Sequence, residues 1–161
     1  MTTIGLLAAV VFAASLILPV ETLDDGARTF PADAAIPRSI FVVTLSKAAS
    51  EQGTAWTRRL RERASLTAPV FQVAVLEDVP RLFRGTVVSA LSKQVPPALR
   101  DQFWIAVTAS DDWRAWVDSS ADAEAHVLVL DDRREVIWRA HGAVTDDKIA
   151  DLQKLPPPGT R

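Results

Sequence analysis

The sequence predicts an α/β domain with a central mixed sheet and the element order βαβαβαββα. Three observations predict it: apolar β-branched runs typical of strands covered on both faces, amphipathic stretches between them, and two extended runs around a polar turn near the C-terminus. Right-handed crossovers make the first three strands parallel, and the final hairpin adds an antiparallel edge. The 161 residues suffice for one such domain and an appendage.

The strands are predicted from runs rich in valine, isoleucine and aromatic residues. They cover residues 39–46, 70–76 and 103–109, followed by a hairpin over 126–139 that turns at residues 131–134. Asp131 and Asp132 are interpreted as turn residues rather than as a catalytic or metal-binding pair, because aspartate accepts from backbone N–H groups in turns.

The helices are predicted from apolar stripes and end signals. The first runs to about residue 64, and the second covers residues 80–95, where a double proline ends it. Ser110 is placed to cap a short third helix. Thr145 starts the last helix, which ends at the sequence PPPG in residues 156–159.

Residues 1–20 form an uncharged, mostly apolar N-terminal segment, since the first charged residue is Glu21. The length suits a hydrophobic helix that crosses a bilayer, and a secretory signal has a similar apolar centre. No clear cleavage site follows and the start of the segment has no lysine or arginine, so we favour an anchor or an inefficient export signal over a buried helix. The orientation stays open, because acids contribute little to the positive-inside rule.

The predicted organisation therefore has four parts. A signal anchor or signal peptide covers residues 1–20, a linker 21–37, the domain 38–155 and a tail 156–161. We expect the protein to be membrane-anchored or exported, on the periplasmic side if it is bacterial.

Composition excludes several function classes. The chain has no cysteine, so disulfide exchange, thiol nucleophiles, iron–sulfur clusters and thiolate zinc sites are excluded. A net charge of -2 gives no basic excess for binding nucleic acid. His126 and His141 are the only histidines, and neither has a further histidine nearby in the sequence for a metal site. Nothing in the sequence implies a cofactor.

The helix predicted over residues 80–95 has two faces besides its charges. A broad apolar arc, which we expect to pack on the sheet, contains Phe83, Val87, Val88, Leu91 and Val95. A narrow strip of small residues contains Gly85, Ser89 and Ser92, and Arg81 and Lys93 flank it. Such spacing lets another helix backbone approach closely, so we interpret the strip as the site for a helix of a client protein. The alternatives are that the domain itself covers both faces, or that the small residues are merely exposed.

Arginines allow two interpretations in two places. Arg84 lies on the apolar arc, where it either covers that face with its stem or pairs as a buried guanidinium with Glu77 or Asp78. A basic run in the first helix is typical of a solvated face, or of contact with anionic lipid headgroups if an anchor holds the domain at a bilayer. That run contains Arg58, Arg59, Arg61 and Arg63.

The element order resembles the thioredoxin fold with a peroxiredoxin-type insertion. In such proteins the loop after the first core strand carries the reactive cysteine. Here that loop reads SKAASEQGTAW, residues 46–56. The cis-proline that precedes the hairpin in such proteins has no counterpart in ADAEAHV, residues 121–127. The resemblance implies this fold without its redox chemistry.

A second resemblance concerns residues 76–105, LEDVPRLFRGTVVSALSKQVPPALRDQFWI. This stretch resembles the signature region of the mitochondrial ATP synthase assembly factor ten family, and HVLVLDDRREVIWRAHGAVTDDKIADL, residues 126–152, is similar to its closing hairpin and helix. Two features depart from the family. Glu135 stands where such hairpins commonly turn on glycine, and the N-terminal segment is not an Arg-rich transit peptide, as in a bacterial or divergent relative.

The resemblance implies a non-enzymatic assembly factor or chaperone for a membrane complex, most concretely the F-type ATP synthase. Its partner would be a membrane-embedded subunit. The expected partner-binding residues are Arg81, Arg84, Gly85, Ser89, Ser92 and Lys93. The alternatives are an anchored or exported thioredoxin-like adaptor with an unrelated client, and a hydrolase with carboxylate or serine chemistry at residues 46–52, which would need a carboxyl group of raised pKa.

Overall fold

A computed structural model of the chain describes residues 17–63 and 66–159. The strands are β1 Leu18–Thr22, β2 Ala27–Phe30, β3 Ser39–Thr44, β4 Val70–Val75, β5 Phe103–Ala106, β6 His126–Leu130 and β7 Val136–His141. The helices are α1 Ser50–Arg61, α2 Arg81–Gln94, α3 Ser110–Val117 and α4 Asp146–Gln153. Short 3₁₀ turns precede α1 and β5.

The described strands form one mixed sheet in the order β2-β1-β5-β4-β3-β6-β7. β3, β4 and β5 are parallel, as predicted, because α1 and α2 connect them. β6 pairs antiparallel with β3, and β7 closes that side as an antiparallel edge strand. The predicted α/β class and mixed sheet are confirmed.

Helices cover both faces of the sheet. α1 and α4 pack over β3 and β6 around Trp56 and Ile149, each 0–1% exposed. α3 packs on the opposite face, where Trp113 lies against Phe30 at a ring-centroid distance of 4.8 Å. β3 is buried at all six positions, and this burial on both faces explains its continuous β-branched and aromatic sequence.

The N-terminal hairpin differs from the predicted organisation. β1 and β2 pair with each other, and β1 also pairs with β5, so residues 18–30 belong to the sheet. Leu18 and Val20 are 2% and 3% exposed in the core, because β1 alternates apolar residues inward. The linker interpretation was therefore wrong for residues 21–30, and residues 18–20 of the apolar segment belong to β1. The proposed N-terminal hydrophobic helix lies mostly outside the described residues.

Two helix starts test the predicted caps. The prediction for Thr145 is confirmed, since its hydroxyl accepts from the backbone N–H of Lys148 at 3.3 Å. The prediction for Ser110 was wrong. Ser110 is the first residue of α3, and its N–H donates to Glu77 Oε2 at 2.5 Å instead.

Within residues 17–63 and 66–159, no helix is long and apolar enough to cross a bilayer.

Candidate protein-binding surface

α2 packs on the sheet through only part of its predicted apolar arc. Val87, Val88, Leu91 and Val95 are partly buried against a cluster that includes Ala74 and Ile105. Phe83, the first residue of the arc, is 56% exposed, so its predicted burial was wrong. None of the fourteen residues of α2, all of them described, is buried. The helix therefore packs on the sheet without burying any of its residues completely.

The strip of Gly85, Ser89 and Ser92 lies along the outward side of α2. Gly85 and Ser89 are exposed, and no described atom lies within 4 Å of the position that a Cβ on Gly85 would take. Ser92 is half-buried, and its hydroxyl donates to the carbonyl of Val88 at 2.9 Å. Arg81 and Lys93, at the two ends of α2, are exposed. A second helix backbone therefore meets no steric obstacle from the described residues at Gly85.

Arg84 attaches the start of α2 to the chain that precedes it. Its Nε donates to the carbonyl of Val79 at 3.0 Å, and its Nη2 donates to the carbonyl of Glu77 at 3.2 Å. Of the two interpretations of Arg84, the buried ion pair with Glu77 or Asp78 was wrong, because the side chain is half-buried and backbone carbonyls accept its hydrogen bonds. The side chain still fixes how α2 leaves β4.

Sequence reasoning missed Leu82, the most exposed large apolar side chain in the described chain, at 85%. Leu82 lies three residues before Gly85 and seven before Ser89, so the three share one side of the helix. The helical spacing from Gly85 was the signal that could have identified it.

The β3–α1 loop, residues 45–49, lies where a thioredoxin-like protein carries its reactive cysteine. Ser46 Oγ donates to the carbonyl of Asp122 at 2.6 Å and accepts from the N–H of Ala49 at 3.4 Å. The side chain of Gln52 accepts from the N–H of Ala125 at 3.0 Å. These bonds tie the loop to the segment before β6 and occupy the hydroxyl that would act as a nucleophile.

Asp122, beside this loop, has electrostatics unsuited to acid–base chemistry. Arg114 donates to both of its carboxylate oxygens, at 2.9 and 2.6 Å. These hydrogen bonds lower the pKa of Asp122 and raise that of Arg114. A general acid needs a raised carboxyl pKa, so this pair gives no support to the hydrolase alternative. The geometry is that of a structural tie.

The two histidines are cross-strand neighbours on β6 and β7, with ring centroids 6.2 Å apart. His141 Nδ1 contacts Glu124 Oε2 at 2.6 Å. His126 is 1% exposed, its Nε2 lies 3.0 Å from the carbonyl of Ala121, and its Nδ1 has no hydrogen-bond partner among the described residues. In the same part of the chain, no three side chains form a cluster that could hold a metal ion.

The basic run of α1 has mixed surroundings. Arg59 forms an ion pair with Asp146 at the start of α4, and Arg61 donates to the carbonyl of Val70 at 3.1 Å. Burial lowers the pKa of Arg61. Arg58 is exposed. Half of the run therefore holds α1 to its neighbours, and nothing in these contacts selects an anionic lipid.

Together, the mixed sheet, the helices on both faces and the closed β3–α1 loop define a thioredoxin-like fold of the peroxiredoxin type that has no redox thiol. No family model and no curated protein matches the chain.

Solved structures are similar to it. The exposed lipoprotein thioredoxin of Streptococcus pneumoniae aligns with a TM-score of 0.58 and 11% identity, over 86% of this chain and 98% of that one. A peroxiredoxin-like protein from Aquifex aeolicus gives 0.52 and 13%, over 86% and 82%. BsSco, a member of the Sco family of cytochrome c oxidase assembly proteins, gives 0.54 and 9%, over 86% and 90%. These identities show the shared fold alone.

Proposed function

We propose that this protein is a non-redox thioredoxin-like adaptor that binds a client protein along the outward side of α2. One observation carries the proposal: α2 has no buried residue, Gly85 and Ser89 of its strip are exposed, and no described atom lies within 4 Å of a Cβ at Gly85. A helix whose only role was to cover the sheet would bury its apolar arc more completely. The absence of cysteine excludes thiol exchange, and a binding role needs no thiol.

We further propose that the client is a membrane-embedded subunit, most concretely of the F-type ATP synthase. The support is the resemblance of residues 76–105 and 126–152 to the ATP synthase assembly factor ten family. BsSco, similar in fold, belongs to a family of cytochrome c oxidase assembly proteins. An apolar client helix with its own small residues would fit a strip that lets backbones approach. The alternative is an anchored or exported adaptor with an unrelated client.

The N-terminal segment belongs to the same proposal. Residues 1–17 carry no charge and precede a domain that resembles, in fold, an exposed lipoprotein thioredoxin. We propose that this segment anchors or exports the domain, so that the client is met at or beyond a membrane. A topology reporter fused after Leu155 would identify the side.

A leucine at Gly85 tests the client surface. We expect Gly85→Leu, alone or with Arg84→Ala, to remove most of the client recovered when the tagged protein is isolated from detergent-solubilised membranes. The added side chain would hold a client helix away from the backbone of α2. Ala115→Leu is the matched control, since Ala115 is an exposed alanine of α3 on the other face of the sheet.

The identity of the lost proteins separates the candidates. Loss of ATP synthase subunits supports the assembly role, and loss of other proteins supports the adaptor alternative. Equal recovery by the wild type and by a folded Gly85→Leu variant would show that α2 is not the client surface. Turnover of an ester or peptide substrate by the purified protein would support the hydrolase instead.

A further inference from the structure

The first turn of α2 carries two adjacent apolar side chains that the domain leaves uncovered. Leu82 is 85% exposed and Phe83 is 56% exposed. We call this pair the apolar tip. The apolar residues of α2 that pack on the sheet begin four residues after Phe83, at Val87, so the tip extends past the apolar contact of the helix. A pair of this size in contact with water is unfavourable, and such patches commonly mark contact sites.

The N-terminal segment leaves the domain at the same edge of the sheet. β1 is antiparallel to β5, with Glu21 opposite Ile105 and Thr22 opposite Trp104. Followed backwards, this register takes Ile17 beyond the C-terminal end of β5 at Ala106. α2 begins at that edge too, with five residues between it and the end of β4, and the bond from Ser110 to Glu77 joins the two strand ends there.

The chain that leaves at this edge is uncharged and apolar. Residues 1–16 have no acidic or basic side chain, and Ile17, at the junction, is 65% exposed. This composition favours transfer into the hydrocarbon of a bilayer. A lipid-bound segment would hold the edge from which it emerges against the membrane surface, and the apolar tip lies on that edge.

We propose that Leu82 and Phe83 insert into the interfacial layer of the bilayer that receives residues 1–16, so that this edge of the sheet faces the membrane. Near the tip in the sequence, the exposed Asp78 and the exposed Arg81 carry opposite charges. Apolar contact, rather than charge, therefore carries the insertion, and it needs no anionic lipid. The proposal holds whether or not a client binds the strip.

The cysteine-free chain makes the test direct. Full-length Leu82→Cys, Phe83→Cys and Asp132→Cys variants, each labelled with a polarity-sensitive fluorophore, are bound to phosphatidylcholine vesicles that carry spin-labelled lipids. We expect a blue shift and strong quenching at positions 82 and 83. Asp132, exposed in the β6–β7 turn at the opposite edge, is the control and should show neither change. Adding Leu82→Ser to labelled Phe83→Cys should weaken the quenching.

Four results would overturn the proposal. One is a lack of vesicle association, and a second is equal signals at all three labels on bound protein. A third is a blue shift at position 82 without vesicles, which would show that residues 1–16 or a second copy covers the tip. The fourth is quenching that requires phosphatidylglycerol in the vesicles, since charge would then carry the contact.

Discussion

Gly53→Leu is expected to lower the free energy of unfolding by about 3 kcal/mol, because α1 packs against the sheet at this glycine without room for a side chain. A Cβ on Gly53 would lie 2.6 Å from Thr44 Cγ2 and 3.8 Å from Gln72 Nε2. Thr44 is 4% exposed and its hydroxyl donates to the carbonyl of Val73 at 3.3 Å, so it does not move aside easily. Urea denaturation followed by circular dichroism measures the loss.

The same substitution at Gly85 is the matched control, since both glycines lie inside helices. No described atom lies within 4 Å of a Cβ at Gly85, and leucine is the better helix former by roughly 0.8 kcal/mol. Gly85→Leu should therefore keep or slightly raise the stability. A loss as large as that of Gly53→Leu would show that something covers the outward side of α2, and the client proposal would fall with it.

The parallel core could be predicted from the sequence because its strands are buried on both faces. β3 and β4 have β-branched and aromatic runs that only a covered strand requires, and the crossover rule then fixes their direction. β1 and β2 gave no such signal. β1 continues an apolar segment that suits a membrane, and β2 is mostly exposed and contains Arg28. The β1–β2 hairpin is identified only by its pairing with β5, which is a contact between residues far apart in the sequence.

Phe83 shows what a helical wheel omits. The wheel gives the direction of a side chain around the helix axis, and Phe83 lies on the same apolar arc as Val87 and Leu91. It gives nothing about where along the axis the sheet begins. The first turn of α2 precedes the part of the helix that contacts Ala74 and Ile105, so Phe83 in this turn stays exposed. The length of overhang depends on the loop after β4, which propensities do not determine.

The pairing of the two histidines depended on register in the same way. A hairpin that turned at residues 131–134 without irregularity would place Arg139 opposite His126. In the structure Leu130 pairs with Val136, so the turn is one residue longer than predicted, and a register shift between Val129 and Leu130 adds a second residue. His141 therefore takes that place. These two single-residue differences decide which polar groups meet at the start of β6.

The neutral form of His126 is expected to make the stability of the fold depend on pH near neutrality. The ring is buried, and with a proton on Nε2 it can donate to the carbonyl of Ala121 at 3.0 Å. A second proton would go to Nδ1, which has no partner among the described residues. Burial therefore lowers the pKa of His126, against a smaller opposite effect of the bond to Ala121.

The direction of the pH dependence follows from the number of protons that His126 binds in the folded and in the unfolded chain. Above a pH of about 6.5 the histidine is neutral in both states and its contribution to stability is complete. As the pH falls below that value, the unfolded chain binds a proton that the fold does not, and stability is lost by up to about 1.4 kcal/mol per pH unit. The loss ends below the lowered pKa of the folded state.

Carboxylates act in a separate, more acidic range. Hydrogen bonds from Ser110 lower the pKa of Glu77, and those from Arg114 lower that of Asp122. Their contribution is present near neutral pH and is lost only as the pH falls below about 4.5, where the unfolded chain takes up the protons. Stability measured between pH 8 and pH 5 therefore reports mainly on the histidine.

Urea unfolding at pH 8, 7, 6 and 5 measures this dependence, with His141→Gln as the control because His141 is exposed. The wild type and His141→Gln should lose stability below pH 6.5, and His126→Gln should not. An NMR titration of the wild-type ring gives the same answer without any variant. A pKa at or above 6.5 for His126 would mean that Nδ1 reaches water or an acceptor, and the buried, unpartnered ring described above would then be wrong.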